Sequence, residues 1–210
     1  MDDDSTLRSE FEAEHTDFVA LTQLLTADQW AEPSLCMGWT VRDVVVHAAW
    51  HIHRDRKAVV GFLLKSAISG SAKAGANQIA RDGDRSNDSL IEWVASPGHC
   101  DQVNLGEMMI HQQDIRRPLG LNREIPEDRL TRILEISLTR SGSMTLVPAS
   151  RKISQGLHLV ATDIDWSSGQ GEDVRGTGKA LLMAVTGRRG AVDDLAGSGA
   201  EVLANRMASR

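Results

Sequence analysis

The stretch Gly106–Gly120, GEMMIHQQDIRRPLG, decides the fold of this chain and the chemistry it can support. It has the pattern of the second half of a helix that ends at Pro118 and Gly120, since both residue types commonly follow helix C-termini. Glu107 and His111 lie four positions apart, which places both side chains on one face of an α-helix. A carboxylate and an imidazole held in this way can bind one metal ion if a third ligand comes from elsewhere.

The rest of this helix leaves two interpretations open. At about 100° per residue, one narrow polar sector forms a stripe along the helix. The stripe consists of Asn104, Glu107, His111 and Asp114. The remaining circumference is mostly apolar, the reverse of the balance usual for a surface helix. The stripe is either the solvent-facing side of the helix or one wall of a buried polar site.

A second segment repeats this design. Thr40 and Asp43 match a capping box, with Asp in place of the usual Glu or Gln, which predicts a helix over about residues 40–68. Most of its surface is apolar, and its single polar sector holds Asp43, His47, His51 and Arg54. If the two stripes face each other in a helical bundle, they line a polar pocket, where burial is costly unless the groups pair or bind a metal. Otherwise His47 is a hydrogen-bonded or surface histidine.

Composition narrows the class of protein. The 210 residues carry a net charge of −6 with a pI of about 5.6, which gives no electrostatic support for nucleic-acid binding. No apolar run reaches the roughly 18 residues that cross a membrane. The N-terminal MDDDSTLR lacks the apolar core of a secretory signal, and Cys36 and Cys100 form neither a metal motif nor a disulfide framework. We therefore expect a cytoplasmic protein.

Other segments before residue 155 predict further helices. Apolar residues at helical spacing predict one helix over 5–25 and a short one over 89–95. Residues 69–89 have the composition of a mobile connection, with a short helix near 75–81. Residues 126–139 form another predicted helix, and 141–154 a linker.

The start of the helix that carries Glu107 and His111 is expected at Ser96-Pro97, because proline is common in the first turn. That start would place Cys100 on the polar stripe. A small buried side chain is the simpler interpretation of Cys100 there.

After residue 155 the spacing of apolar residues changes from a helical period to the alternation of β-strands. Residues 156–163 alternate like a strand, 165–171 form a turn, and 172–176 form a second strand, which together predict a hairpin. Two helices follow, over 177–186 and within 195–210.

Two motifs resemble a known family. PSLCMGWTVRDVVVH at residues 33–47, together with EMMIHQQD at 107–114, resembles the N-terminal domain of mycothiol-dependent maleylpyruvate isomerases, which belongs to the DinB-like superfamily. Residues 157–189 are similar to the small sterol-carrier-like domain often fused to it. The chain looks closest to the short actinobacterial members of unassigned activity. The resemblance implies a mainly α fold: a DinB-like up-and-down four-helix bundle over 1–150, then a small α+β domain over 151–210.

The resemblance also implies a divalent metal, zinc by expectation, held by His47, Glu107 and His111. His51 matches no ligand of the family and is either a pocket-lining or a surface histidine. Asp114, one turn beyond His111, either orients that ligand or caps the end of the helix.

Three protein ligands leave one coordination position open, as in catalytic zinc sites. A thiol there would be deprotonated near neutral pH, which suits transfer to, or isomerisation of, a small electrophilic substrate, with mycothiol as the implied cosubstrate. Water in that position would instead serve an amidase-like hydrolase. A protein that only binds a metal or a small ligand is the third possibility.

Arg188 matches an arginine that the family resemblance implies for catalysis. Its guanidinium suits a carboxylate substrate, because it donates two parallel hydrogen bonds. The plainer interpretation is a positive charge at a helix C-terminus.

Overall fold

The structure is a computed structural model that describes residues 2–54, 57–58, 60–61, 64, 71–139 and 150–208. The chain divides into two compact units, Met1–Asn122 and Arg123–Arg210. Within the described ranges, no helix combines the length and the apolar character that crossing a membrane requires.

The first unit is helical. Its helices are α1 (Asp2–Leu24), α2 (Ala27–Ala31), α3 (Val41–His53), α4 (Ser71–Asp82), α5 (Asn87–Ala95) and α6 (Gln102–Arg116). Helices α1 and α3 each pack against α5 and α6, and α4 packs against α3. The interior is closely filled, with Phe18, Val45, Leu105 and Met108 at 0% exposure. The predicted helices over 5–25 and 89–95 are confirmed, and the one expected near 75–81 is longer than expected.

Helix α3 begins where the capping box predicted. The Asp43 backbone N–H donates to Thr40 Oγ1 at 3.2 Å, and the Thr40 backbone N–H donates to Asp43 Oδ2 at 2.9 Å. The helix ends at His53, because Arg54 adopts an extended backbone with ψ 135°. The predicted range 40–68 is thus confirmed up to His53, and most of its remainder lies outside the described residues.

Helix α6 begins later than the proline at 97 suggested. Asp101 is its N-cap, and the Asp101 carboxylate accepts the Asn104 backbone N–H at 2.7 Å. Ser96 instead ends α5, its backbone N–H donating to the Glu92 and Trp93 carbonyls. The Asp101 carboxylate supplies an acceptor for a helix N–H that has none within the helix. The expectation that Cys100 lies on the stripe of α6 was therefore wrong, because Cys100 precedes the helix.

The second unit combines helices with a small sheet. Its elements are α7 (Glu127–Thr139), α8 (Ser150–Ser154), β1 (Leu157–Ala161), β2 (Ser167–Gly169), β3 (Glu172–Gly176), α9 (Gly178–Val185), a 3-10 helix (Arg189–Asp194) and α10 (Ser198–Ala208). Helix α7 packs against α8 and α9, and it belongs to the same compact unit as the sheet. The division after Asn122 thus differs from the boundary at residue 150 that the sequence suggested. The predicted linker 141–154 ends in α8, and residues 141–149 lie outside the described residues.

The sheet has the order β2-β1-β3. Strand β1 pairs with β2 antiparallel and with β3 parallel, so the hairpin predicted between residues 156–163 and 172–176 was wrong. The hairpin partner is instead β2, whose residues Ser167–Gly169 show no apolar alternation. The chain then turns back beside β1 through Gly171 at φ 129°, where a Cβ would lie 2.1 Å from the Gly156 carbonyl oxygen. The mainly α class with a small α+β C-terminal unit is confirmed.

Candidate metal centre

The three ligands expected from the sequence meet inside the helical unit. His47 of α3 and Glu107 and His111 of α6 each offer a ligand atom, and these atoms all lie within 4.8 Å of one another. His111 Nε2 is 3.1 Å from Glu107 Oε2, and the rings of His47 and His111 have centroids 5.1 Å apart. The stripe of α6 is buried, with Asn104, His111 and Asp114 at 5% exposure or less. The solvent-face interpretation of that stripe was therefore wrong.

Helix geometry brings Glu107 and His111 together, and packing between helices adds His47. Glu107 and His111 share a face because they lie one turn apart on α6. His47 reaches them because α3 packs on α6. The Glu107 side chain keeps 14% exposure, which makes it the ligand candidate most open to solvent.

The Nδ1 atom of His47 is hydrogen-bonded to a residue that the sequence analysis did not single out. His47 Nδ1 lies 3.0 Å from Gln78 Oε1, and Gln78 on α4 is 4% exposed. Because an amide oxygen only accepts, Nδ1 carries the proton and Nε2 keeps its lone pair. Trp39 packs edge-on against His47, with centroids 4.9 Å apart. Gln78 fell in the predicted connection 69–89, where no spacing linked it to His47.

The Nδ1 atom of His111 faces the side chains of Asp114 and Cys36. His111 Nδ1 lies 2.9 Å from Asp114 Oδ2, and Cys36 Sγ–H donates to the same oxygen at 3.1 Å. Asp114 is fully buried. Asp114 thus contacts the ligand candidate, as one of its two sequence interpretations required. Ligand atoms of Cys36, His111 and Asp114 also lie within 4.8 Å of one another. No sequence spacing could reveal Cys36, because 78 positions separate it from Asp114.

Glu107 and His111 stabilise each other's charged forms. Burial raises the pKa of Glu107, but the imidazoles of His51 and His111 outweigh burial and hold that pKa well below its usual range. Burial lowers the pKa of His111, but hydrogen bonds to Asp114 and Glu107 outweigh burial and raise that pKa well above its ordinary value. An ionised carboxylate therefore faces an imidazole that keeps its charge easily.

His51 lines the pocket and is not a surface residue. It is 9% exposed, and its ring centroid lies 4.5 Å from that of His47. Burial lowers the pKa of His51 well below its ordinary value, and the nearby Glu107 carboxylate opposes this shift only in part. Arg54 donates to His51 Nδ1 at 2.7 Å and also to Asn104 Oδ1. Because Nδ1 accepts from Arg54, it has no lone pair left for a cation.

Arg188 lies in the second unit, between α9 and the 3-10 helix. Its Nη1 donates to the Thr186 carbonyl at 2.9 Å, and the side chain is half-buried. The catalytic role expected for Arg188 stays a prediction.

The donor set fits a divalent cation such as Zn²⁺. Two imidazoles and one carboxylate are ordinary zinc ligands, and three protein ligands are typical of catalytic sites. Each histidine also has the outer hydrogen-bond partner that metal-bound histidines usually have, Gln78 for His47 and Asp114 for His111. Metal binding through His47, Glu107 and His111 stays a prediction.

The comparison with protein-family models agrees with the sequence resemblance. Residues 11–97 match the family model described as the mycothiol maleylpyruvate isomerase N-terminal domain. The match includes His47 but ends before Glu107 and His111. Two crystal structures are similar over 93% of both chains with a TM-score of 0.47: the mycothiol-dependent maleylpyruvate isomerase, at 14% identity, and its histidine-to-alanine mutant, at 15%. A comparison with curated proteins found no match.

Proposed function

We propose, from the match of residues 11–97 to the model of the mycothiol maleylpyruvate isomerase N-terminal domain, that the chain is a divalent-metal-dependent enzyme. It would act with a low-molecular-weight thiol. The proposed metal is zinc, and the proposed thiol is mycothiol. The proposed reaction is transfer to, or isomerisation of, a small electrophilic substrate. One observation carries the proposal: ligand atoms of His47, Glu107 and His111 lie within 4.8 Å of one another in a mostly buried pocket.

His47, Glu107 and His111 would hold the cation. When bound, a divalent cation supplies the positive charge that keeps a thiol ionised near neutral pH. Glu107 is ready for this role, because its pKa lies well below its usual range and the carboxylate is charged at neutral pH. The cluster therefore presents one negative charge and two imidazoles to a cation.

Residues around the ligands keep them in place. Gln78 accepts from His47 Nδ1, and Asp114 accepts from His111 Nδ1, so both imidazole rings are held at the Nδ1 side. Such outer partners typically change metal affinity by about 10–100-fold. Trp39 and Trp50 contact the imidazoles of His47 and His51 edge-on.

Arg188 is the proposed catalytic residue of the second unit. Its Nη1 bonds the Thr186 carbonyl, and its planar guanidinium suits a substrate carboxylate. Arg188→Lys keeps the charge but cannot donate two parallel hydrogen bonds to a carboxylate. Turnover should therefore fall while metal content stays unchanged. Equal turnover of Arg188→Lys and Arg188→Ala with the unaltered chain would remove Arg188 from the mechanism.

The decisive experiment measures metal first and thiol second. Purified protein, His47→Ala and the control His158→Ala are analysed for bound metal; His158 lies in the sheet and pairs with Asp173. About one metal per chain is expected in the unaltered protein and the control, with loss in His47→Ala. The metal-loaded chain is then assayed with mycothiol and maleylpyruvate as probes.

Two results would contradict this function. Equal metal content in His47→Ala and the unaltered protein would remove the proposed ligand set. Turnover that proceeds equally well without any thiol, with release of a new amine or carboxylate, would point to a hydrolase instead.

A further inference from the structure

The second nitrogen of His111 faces a compact group of sulfur and oxygen donors. Asp114 Oδ2 lies 2.9 Å from His111 Nδ1 and 3.1 Å from Cys36 Sγ. In the absence of a cation, two protons join these three atoms, one on the thiol and one on the imidazole. One divalent cation could replace both protons without bringing in another residue.

The segment that carries Cys36 is held in place against α6. The Leu35 backbone N–H donates to the Asp114 carbonyl at 3.0 Å. The Cys36 backbone N–H donates to Ser34 Oγ at 3.2 Å, and the Trp39 N–H donates to the Cys36 carbonyl at 2.9 Å. The thiol therefore stays beside Asp114 through the fold of its own loop. Cys36 is half-buried, whereas Asp114 is fully buried.

The two donor sets prefer different cations. Cys36, Asp114 and His111 offer a thiolate, a carboxylate and an imidazole, so two negative charges would neutralise a divalent cation in a buried place. A thiolate favours soft cations, whereas the first set contains no sulfur. A thiophilic cation such as Cd²⁺ should therefore prefer the set that includes Cys36.

The two sets share the imidazole of His111, and as long as this ring stays neutral they cannot be filled together. Such a ring has one lone pair and one N–H. A cation on Nδ1 leaves the proton on Nε2, where Glu107 Oε2 accepts it at 3.1 Å. A cation on Nε2 leaves the proton on Nδ1, where Asp114 accepts it.

We propose that Cys36, His111 and Asp114 form a second metal site, selective for a thiophilic divalent cation, that excludes metal from the His47–Glu107–His111 set. The existence of this site does not depend on the proposed function. The competition between the two sets does rest on the proposed function, because competition requires metal bound by His47, Glu107 and His111.

The test uses Cd²⁺ alone as the probe and the full chain throughout. Binding is followed by thiolate-to-cadmium charge-transfer absorption in the ultraviolet. The variants are Cys36→Ser, His47→Ala, and Cys100→Ser as the matched control, since Cys100 is the second of the chain's two cysteines. The expected result is a band that saturates at one Cd²⁺ per chain in the unaltered protein, Cys100→Ser and His47→Ala. In Cys36→Ser the band should disappear, and Cd²⁺ affinity should fall at least about tenfold.

Retention of the band in Cys36→Ser, or its loss in Cys100→Ser, would overturn the site. If Cys36→Ser does not fold by circular dichroism, alkylation of Cys36 in folded Cys100→Ser replaces it and should abolish the band. Band retention after complete alkylation would again overturn the site.

Competition is measured by loading the chain with Zn²⁺ and adding Cd²⁺ beside a chromogenic zinc chelator. One Zn²⁺ should leave for each Cd²⁺ bound, and retention of both cations would overturn the mutual exclusion. Failure of the proposed function has a separate signature: His47→Ala would hold as much zinc as the unaltered chain, while the cadmium band of Cys100→Ser is unaffected.

Discussion

His111 Nδ1 lies 2.9 Å from Oδ2 of the fully buried Asp114, one turn further along the same helix. A carboxylate in this position accepts the Nδ1 proton and leaves the lone pair on Nε2, on the side of Glu107 and His47. The orientation of one proposed ligand therefore depends on a neighbour outside the His47–Glu107–His111 set.

Asp114→Asn should weaken zinc binding by about 10–100-fold, because a neutral amide is a poorer acceptor for the His111 N–H than a carboxylate. The measurement is a competition with a chromogenic chelator at fixed pH. Asp173→Asn is the matched control, since Asp173 also lies 2.9 Å from a histidine nitrogen but at an exposed place in the sheet. Equal zinc affinity in both variants would show that Asp114 does not orient the ligand.

Gln78→Ala should lower zinc affinity by about tenfold, because His47 Nδ1 loses the acceptor that fixes its ring. Gln23→Ala, at an exposed position of α1, controls for the loss of an amide. Metal content is compared after dialysis against a zinc buffer. An affinity unchanged from that of the control would mean that packing against Trp39 alone positions His47.

Stability of the metal-free chain should be greatest near pH 6.5. The raised pKa of His111 stabilises the fold below about pH 6.5, and this contribution is lost as pH rises through the folded value. The lowered pKa of His51 acts on the other side, since stability falls as the ring must be protonated below about pH 6.5. Glu107, whose pKa is also lowered, adds a loss below about pH 4.3.

Thermal unfolding in the presence of a chelator, measured between about pH 3 and 9, checks this profile. His111→Gln should flatten the alkaline side, because the raised pKa of His111 is the source of the alkaline loss. Saturating zinc should remove the alkaline loss, because a bound cation favours the neutral imidazole. An alkaline loss of the same size in His111→Gln would assign it to another group.

Asp101→Ala should lower the free energy of unfolding by about 1 kcal/mol, because the Asn104 N–H at the start of α6 loses its acceptor. Asp101→Asn should stay within a few tenths of a kcal/mol of the unaltered chain, since asparagine caps equally well. Urea unfolding followed by circular dichroism measures both. A loss of similar size in Asp101→Asn would show that the charge of Asp101, and not its hydrogen bond, stabilises this end of α6.

Local signals accounted for much of the helical unit. Thr40 and Asp43 marked the start of α3, and Pro118 and Gly120 followed the end of α6, because capping and helix termination depend on residues near in sequence. The start of α6 was misplaced, since a proline at 97 and an aspartate at 101 are both plausible starts and only the packed chain uses the second. In the sheet, β2 lacked any alternation, and parallel pairing of β1 with β3 depends on contacts that no local pattern records.

The sequence by itself determined that Glu107 and His111 share one helix face, because that follows from 3.6 residues per turn. It also determined, through family resemblance, that His47 was the third residue to consider. Tertiary structure alone decided that the stripe is buried, that Gln78 holds the imidazole of His47, and that Cys36 lies beside Asp114. The physical reason is distance along the chain: packing between helices brings these groups together, and spacing in the sequence carries no record of it.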